Sequence, residues 1–294
     1  MTSLRAFTWN DLSAYAELTA APGTAPSSAA AEESLRQPNL HPERDCFLAE
    51  RDGRVEGFVL AVPEPNIDRT ILEGNVRGEA RGQGIGLLLV ERGVQQSRSL
   101  GIGVVHASAL EDQTDAIRLL RSAGFHEAKR QWQMRLALSD LVTKETATVY
   151  EVSSLKKGEE ALLADLQNGA FTGSWGFAPN VPEELAYRLS MSGNRFEDAL
   201  VLSVEGKPLA YCWTKLLTQD GRQVGVIWMI GALPESRGLG LGRAMLLESV
   251  RFLRGQGAEA IELTVYADNE PAVGLYQATG FRKKHEILWF EKAP

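Results

Sequence analysis

Apolar positions along the chain form two successive trains of strand-like and helix-like runs, and the second train repeats the first. In the first, residues 46–50 and 55–62 are apolar runs flanking Arg51-Asp52-Gly53-Arg54. An Asp-Gly pair between two such runs predicts a β-hairpin, because both residues tolerate the positive φ of a tight turn. Residues 69–76 predict another strand, which leads into Arg81-Gly82-Gln83-Gly84-Ile85-Gly86 and an apolar helix start at 87–90. Residues 101–109 read as a strand, 115–122 as a helix closed by Ala123-Gly124-Phe125, and 131–138 as a further strand. Ahead of these, residues 1–18 predict a short strand and a helix capped near Asn10, and 19–31 a loop or loosely helical lid.

The second train opens at 148–152, as 4–9 opened the first. Helical patterns follow at 158–171 and 183–191, then a hairpin of 199–204 and 208–215 around Glu205-Gly206-Lys207. An apolar strand at 224–233 enters Pro234-Glu235-Ser236-Arg237-Gly238-Leu239-Gly240-Leu241-Gly242-Arg243. An amphipathic run at 244–253, a strand at 260–266, a last helix and a closing strand at 285–291 complete it.

The repeat is numerical as well as visual. Arg81 and Arg237 stand 156 positions apart, and so do Gly124-Phe125 and Gly280-Phe281, whereas the hairpin turns are offset by 153. Units this long are two domains of one fold and not a solenoid. Strands, helices and hairpins mix in each, so the expected class is α+β with a mixed sheet, in tandem. The polar stretch 140–147 separates an expected first domain, 1–139, from a second, 148–294.

Each glycine-bearing stretch joins a strand to a helix. Glycines let the backbone turn sharply and come close to a ligand. The new helix then presents unpaired N–H groups and the positive end of its dipole. This is an anion cradle, suited to a phosphate-bearing molecule. Charge sharpens the point: at a net −7 over 294 residues, neither nucleic acid nor an anionic membrane is expected as a partner. An anion must be held locally. The two cysteines, Cys46 and Cys212, lie far apart without metal-site spacing, so neither a disulfide framework nor a metal is expected. No apolar signal core opens the chain, and no run of 18 apolar residues occurs. A cytoplasmic location is expected.

A second block follows the second turn: Asp268-Asn269-Glu270-Pro271-Ala272-Val273-Gly274-Leu275-Tyr276-Gln277-Ala278-Thr279-Gly280-Phe281. Together, the turn at Arg237-Gly238-Leu239-Gly240-Leu241-Gly242 and this block resemble the GNAT acyl-CoA N-acyltransferases. Their turn reads Arg/Gln-x-x-Gly-x-Gly/Ala, and their second block Asn-x-x-Ala-x-x-Leu-Tyr-x-x-x-Gly-Phe. The tandem layout, with Phe171, Trp175-Gly176 and Trp213-Thr214-Lys215, is similar to the mycothiol synthase group.

The resemblance implies two tandem GNAT domains and acetyl-CoA as the acyl donor. It implies a primary amine of a small molecule as the acceptor, attacked directly, with a cysteinyl or amino-sugar amine among the candidates. Backbone groups of Ile230 and Ala232 would pair with the pantetheine arm, with Gly231 allowing close approach. Arg237, Gly238, Leu239, Gly240, Leu241, Gly242 and Arg243 would hold the pyrophosphate. Tyr276 would protonate the departing thiolate, a reasonable role for a phenol of pKa about 10. Asn269 would bond the donor arm or cap the helix. Trp175, Trp213 and Lys215 are candidate acceptor contacts, with Phe177, Tyr211 and Trp228 as further aromatic surface.

The chain departs from the group in one place. A Glu is expected early in the strand before the turn, and Val226 stands there. The proton must pass to water or to another group, with Glu262, Tyr266 and His285 as candidates. In the first half, Arg81, Gly82, Gln83, Gly84, Ile85 and Gly86 keep the cradle and are candidate acetyl-CoA contacts. However, Leu120 stands where Tyr276 does and Gln113 where Asn269 does. Chemistry is therefore expected in the second half alone. The competing expectation is a non-catalytic acyl-CoA-binding protein on the same fold. Two domains in one chain suit a monomer as well as a homodimer.

Overall fold

The computed structural model describes residues 2–20, 24–141, 150–219, 221–236 and 238–294. In chain order the elements are β1 (Ser3–Ala6), α1 (Leu12–Thr19), α2 (Ser28–Leu35), α3 (Pro42–Asp45), β2 (Cys46–Arg51), β3 (Arg54–Glu64), β4 (Arg69–Val76), α4 (Ile85–Ser99), β5 (Val104–Leu110), α5 (Thr114–Ser122) and β6 (His126–Ala137). Then come β7 (Glu151–Ser154), α6 (Glu160–Phe171), α7 (Pro182–Ser190), β8 (Ala199–Val204), β9 (Lys207–Gln219), β10 (Arg222–Ala232), α8 (Leu241–Gly255), β11 (Ala260–Tyr266), α9 (Glu270–Thr279) and β12 (Arg282–Lys292). The mixed-sheet α+β class follows the sequence reading. No helix among the described residues is long and apolar enough to cross a membrane.

Two compact units result. Unit 1 is Met1–Lys129 with Ile287–Pro294, and unit 2 is Arg130–Glu286. This division differs from the one expected at 139 and 148, and the pairing explains why. The outer half of β12 pairs antiparallel with β5, from Ile287↔Leu110 to Lys292↔Val105. Leu288 and Phe290 are buried in the unit 1 core. β6 pairs with β11 from Gln131 to Ala137, within unit 2. Each sheet is thus completed by a strand from the other half of the sequence. Burial of Leu288 and Phe290 contributes about 1.5–3 kcal/mol each to unit 1. Of the connector expected at 140–147, residues 142–149 lie outside the described residues.

Within unit 1 the strand order is β1-β2-β3-β4-β5-β12, and within unit 2 it is β6-β11-β10-β9-β8-β7. Both sheets are covered on both faces, so the strands are continuous apolar runs instead of alternating ones. In β2, Phe47 and Ala49 enter a core with α4 and α5, while Cys46 and Leu48 enter another with α1 and α2. The period of two decides which. In β9, Cys212 packs with α8 and α9, while Tyr211 and Trp213 pack with α6 and α7. Both hairpin turns form as expected: Asp52 and Gly53 take φ of 53° and 76°, and Glu205 and Gly206 take 51° and 76°.

Candidate active site

The site in unit 2 grows from a single extra residue. β10 pairs in parallel with β11 only from Val224↔Ala260 to Ile227↔Leu263. Beyond Ile227 the two strands part. On its other edge β10 stays paired with β9, but the register jumps from Ile227↔Thr214 to Met229↔Trp213. Trp228 is the bulged residue, and it is half-exposed, at 50%. A bulge bends its strand and increases the local twist, which here carries the end of β10 away from β11.

The parting leaves one edge of β10 unpaired. Leu233 donates its N–H to the Leu209 carbonyl at 2.8 Å. Backbone groups alternate in direction along a strand. Those of Ile230 and Ala232 therefore turn away from β9, toward the side that β11 has left. These are the two residues singled out in the sequence. Gly231 between them is needed for packing: a Cβ there would lie 2.7 Å from the Ala170 Cβ and 3.1 Å from the Tyr211 ring.

At the end of β10 the chain enters the glycine turn. Gly238 and Gly240 take φ of 79° and 72°, and side chains built there or at Gly242 would meet nothing within 4 Å. The space above the turn is open. Gly240 caps α8, and the first helical bond runs from the Ala244 N–H to the Gly240 carbonyl at 3.0 Å. The N–H groups of Leu241, Gly242 and Arg243 precede it and face outward with the dipole behind them. Leu239 is exposed, and its carbonyl accepts from the Tyr150 hydroxyl at 2.9 Å. Leu241 is buried and anchors the turn. Arg237 lies outside the described residues.

Tyr276 is on α9, 7% exposed, inside the core that α8 and α9 form on the sheet. Its ring lies 5.9 Å from that of Phe281. Burial pushes its hydroxyl well above the ordinary phenol range, so at neutral pH it is held as a proton donor. Asn269 caps α9, its side chain accepting from the Ala272 N–H at 3.3 Å.

On the α6–α7 face, Trp175 is half-buried. Its carbonyl accepts from the Tyr266 hydroxyl at 2.9 Å, and the two rings meet edge-on at 5.8 Å. Trp213, expected as an acceptor contact, is instead buried, packed beside its register partner Met229 in the α6–α7 core. Trp228 meets it at a tilt of 50°, with ring centroids 4.9 Å apart, and takes the exposed position. The Tyr211 hydroxyl and the Trp213 Nε1 are buried without a partner. Each such group costs about 1–3 kcal/mol.

Val226 sits in a cross-strand row. Its register partners are Lys215 on β9 and Glu262 on β11, and Glu262 in turn faces Arg135 on β6. Glu262 thus stands one strand from the position where the resemblance implies a base. Its carboxylate takes Arg135 at 2.5 Å and Lys284 at 2.8 Å. Burial opposes its charge, but those two cations outweigh it and hold the group below the ordinary carboxylate range. A carboxylate so paired is a poor proton acceptor. Tyr266 is engaged with Trp175, and His285 is half-buried in β12.

Unit 1 repeats the turn without the bulge. Arg69 pairs with Val104 as Val224 pairs with Ala260, and β3–β4 pairing is continuous from Arg69 to Val76. Gly82 and Gly84 take φ of 75° and 80°, and Ile85 is buried. The strand edge is occupied by the chain itself, however. The Val76 N–H donates to Asn75 Oδ1 at 2.9 Å, and its carbonyl accepts from Arg81 Nε at 2.9 Å. Arg81, expected over the turn, is tied to that edge. Gln83 is bonded to Arg51 and to the Glu79 carbonyl. A Cβ on Gly86 would lie 2.9 Å from Leu119. Leu120, in place of a tyrosine, is core.

The profile of the acetyltransferase (GNAT) family matches residues 12–125 and again 161–281. A mycothiol acetyltransferase of Nocardia farcinica is 29% identical over 285 residues, covering 92% of this chain and 89% of its own. That of Pseudarthrobacter chlorophenolicus is 31% identical over 237 residues, covering 77% and 71%. Among solved structures, a GCN5-related N-acetyltransferase from Sphaerobacter thermophilus superposes with a TM-score of 0.73 at 22% identity, covering 99% of this chain and 95% of its own. A tandem GNAT protein from the clavulanic acid biosynthesis pathway superposes at 0.71 and 17%, covering 100% and 98%. The splayed strands, the open glycine turn and the two family matches agree: the chain belongs to the GNAT acetyltransferase family, as a tandem N-acetyltransferase.

Proposed function

We propose that unit 2 transfers the acetyl group of acetyl-CoA to a primary amine of a small molecule by direct attack. The observation that carries this is the unpaired edge at Ile230 and Ala232, opened by the Trp228 bulge and running straight into the glycine turn. The pyrophosphate rests on the N–H groups of the turn and the first residues of α8, from Gly238 to Arg243. The pantetheine amides pair along Ile230–Ala232. An N–H there polarises the thioester carbonyl and meets the charge that develops on its oxygen. The amine nitrogen attacks that carbon, the C–S bond breaks, Tyr276 gives its proton to the leaving sulfur, and the nitrogen sheds its extra proton to water, through which the phenolate is reprotonated. Asn269 acts through the cap of the helix that carries Tyr276. Acceptor contacts come from Trp175, Trp228 and Lys215 around the opening, with the chemistry confined to unit 2.

No carboxylate on β10 faces the attacking amine, and Glu262 is held by Arg135 and Lys284. The amine must therefore arrive neutral. As an expected result, kcat/KM climbs about tenfold per pH unit up to the acceptor amine's own pKa, about 8 to 10 for primary amines. A plateau near pH 7 would instead reveal an enzyme base. The function itself is tested by CoA release across amines, including cysteinyl conjugates, amino sugars, polyamines and peptide N-termini. The mycothiol acetyltransferases among the relatives put the cysteinyl conjugates first. Saturable acetyl-CoA binding with no turnover on any of them would support the non-catalytic reading.

A further inference from the structure

We infer that the acceptor is an amine bearing an oxyanion, a carboxylate or phosphate, held in a basic pocket of unit 2. This rests on the acetyl-transfer reading above. A pocket of about 330 Å³ is lined by Arg135, Gln219, Arg222, Val224 and Lys284. Its residues share one sheet face. Arg222 and Val224 alternate with Val226 along β10, Gln219 is the register partner of Arg222, and Arg135 that of Glu262, the partner of Val226. Lys215, a proposed acceptor contact, is the register partner of Val226 on the same face, so the pocket lies along the row that leads to the proposed acceptor site.

The charge there runs against the chain. The molecule carries −7 overall, yet three cations line this pocket, and only two of them, Arg135 and Lys284, are paired with the neighbouring Glu262. Glu262 occupies Arg135 and Lys284 only in part, since their side chains remain 33% and 35% exposed. Arg222 is exposed and has no carboxylate partner among the described residues. Such a cluster offers a site for an oxyanion, with the Arg222 guanidinium free to engage it in bidentate fashion. Arg135 lies two strands from Val226, and Arg222 lies six residues before the bulge. With strands about 4.8 Å apart and about 3.3 Å per residue, the anion sits roughly 10–20 Å from the reacting amine. A neutral acceptor leaves Arg222 without an anionic partner and Arg135 and Lys284 sharing one carboxylate; an extended amine with a distal anion answers the excess positive charge.

The test is CoA release with a matched series of extended primary amines ending in a carboxylate, a phosphate or a neutral carboxamide. The expected result is a KM for one anionic amine at least tenfold below that of the carboxamide, and the lower of the two anions identifies the group. Arg222→Glu raises that KM tenfold or more, leaves kcat and the acetyl-CoA KM unchanged, and leaves the carboxamide unaffected; Arg222→Lys recovers part of the loss. Equal KM values across the series, or an equal effect of Arg222→Glu on all members, overturns the inference. A second readout needs no turnover, and so separates this inference from the acetyl-transfer reading. With CoA saturating, inorganic phosphate raises the wild-type Tm and not that of Arg222→Glu. Absence of the wild-type shift overturns the inference.

Discussion

Tyr276→Phe lowers kcat about 100-fold or more, while the acetyl-CoA KM stays within about twofold. The magnitude is that of a lost general acid. The split between kcat and KM follows from position. In the proposed mechanism the hydroxyl serves the departing sulfur, whereas the donor is held by the backbone of Ile230–Ala232 and the glycine turn. The ring is core, packed near Phe281, and phenylalanine keeps it there. Tm is therefore expected within about 2 °C of wild type. Steady-state CoA release with thermal melts separates the roles: a large Tm loss with unchanged kcat would make Tyr276 a packing residue.

Gly240→Asp weakens acetyl-CoA binding about 100-fold or more, measured by calorimetric titration. Two costs combine. Gly240 sits at φ of 72°, where an L-residue is strained by roughly 1–2 kcal/mol, with Asp among the most tolerant. The space above is open, so the side chain meets no steric conflict. Its carboxylate then takes the helix N-terminus that the pyrophosphate needs and repels it. A hundredfold loss corresponds to about 2.8 kcal/mol, more than the strain alone supplies. Gly238→Ala, which adds strain without charge, is expected to cost less than tenfold. An Asp variant no worse than the Ala variant would mean that no anion sits on this turn.

Much of this architecture was legible because it depends on local backbone requirements. Asp52-Gly53, Glu205-Gly206 and the paired glycines of both turns need positive φ, and they adopt it. The repeat was legible because its spacing survives to the residue. What stayed hidden is relational. The run 285–291 reads as a strand, but nothing local says that Ile287–Lys292 complete unit 1. The bulge lies within an apolar run, and only strand pairing exposes it: Val224 and Arg69 are matched at an offset of 155, where the turns are matched at 156. Trp213 and Trp228 were alike as aromatic candidates, and register alone buries one and exposes the other. Glu262 looked like a candidate base until Arg135 and Lys284, 127 positions before and 22 after it, proved to be its partners.

The proposal that chemistry is confined to unit 2 follows the same lines. Leu120 stands where the proposed acid would be, which was visible in sequence. Asn75 and Arg81 occupying the Val76 edge was not visible, since both residue types suit a binding site equally well. In unit 2, Gly231 stands where unit 1 has Asn75, and glycine cannot bond back onto the strand edge.

A crystal structure of the chain with acetyl-CoA decides where the donor lies and whether Tyr276 reaches its sulfur. The pyrophosphate is expected on Gly238–Arg243, the pantetheine paired with Ile230 and Ala232, and the thioester sulfur within about 3.5 Å of the Tyr276 hydroxyl. Donor bound over Gly82–Gly86 with the Gly238–Gly242 turn empty, or a sulfur out of reach of Tyr276, would contradict the proposed mechanism.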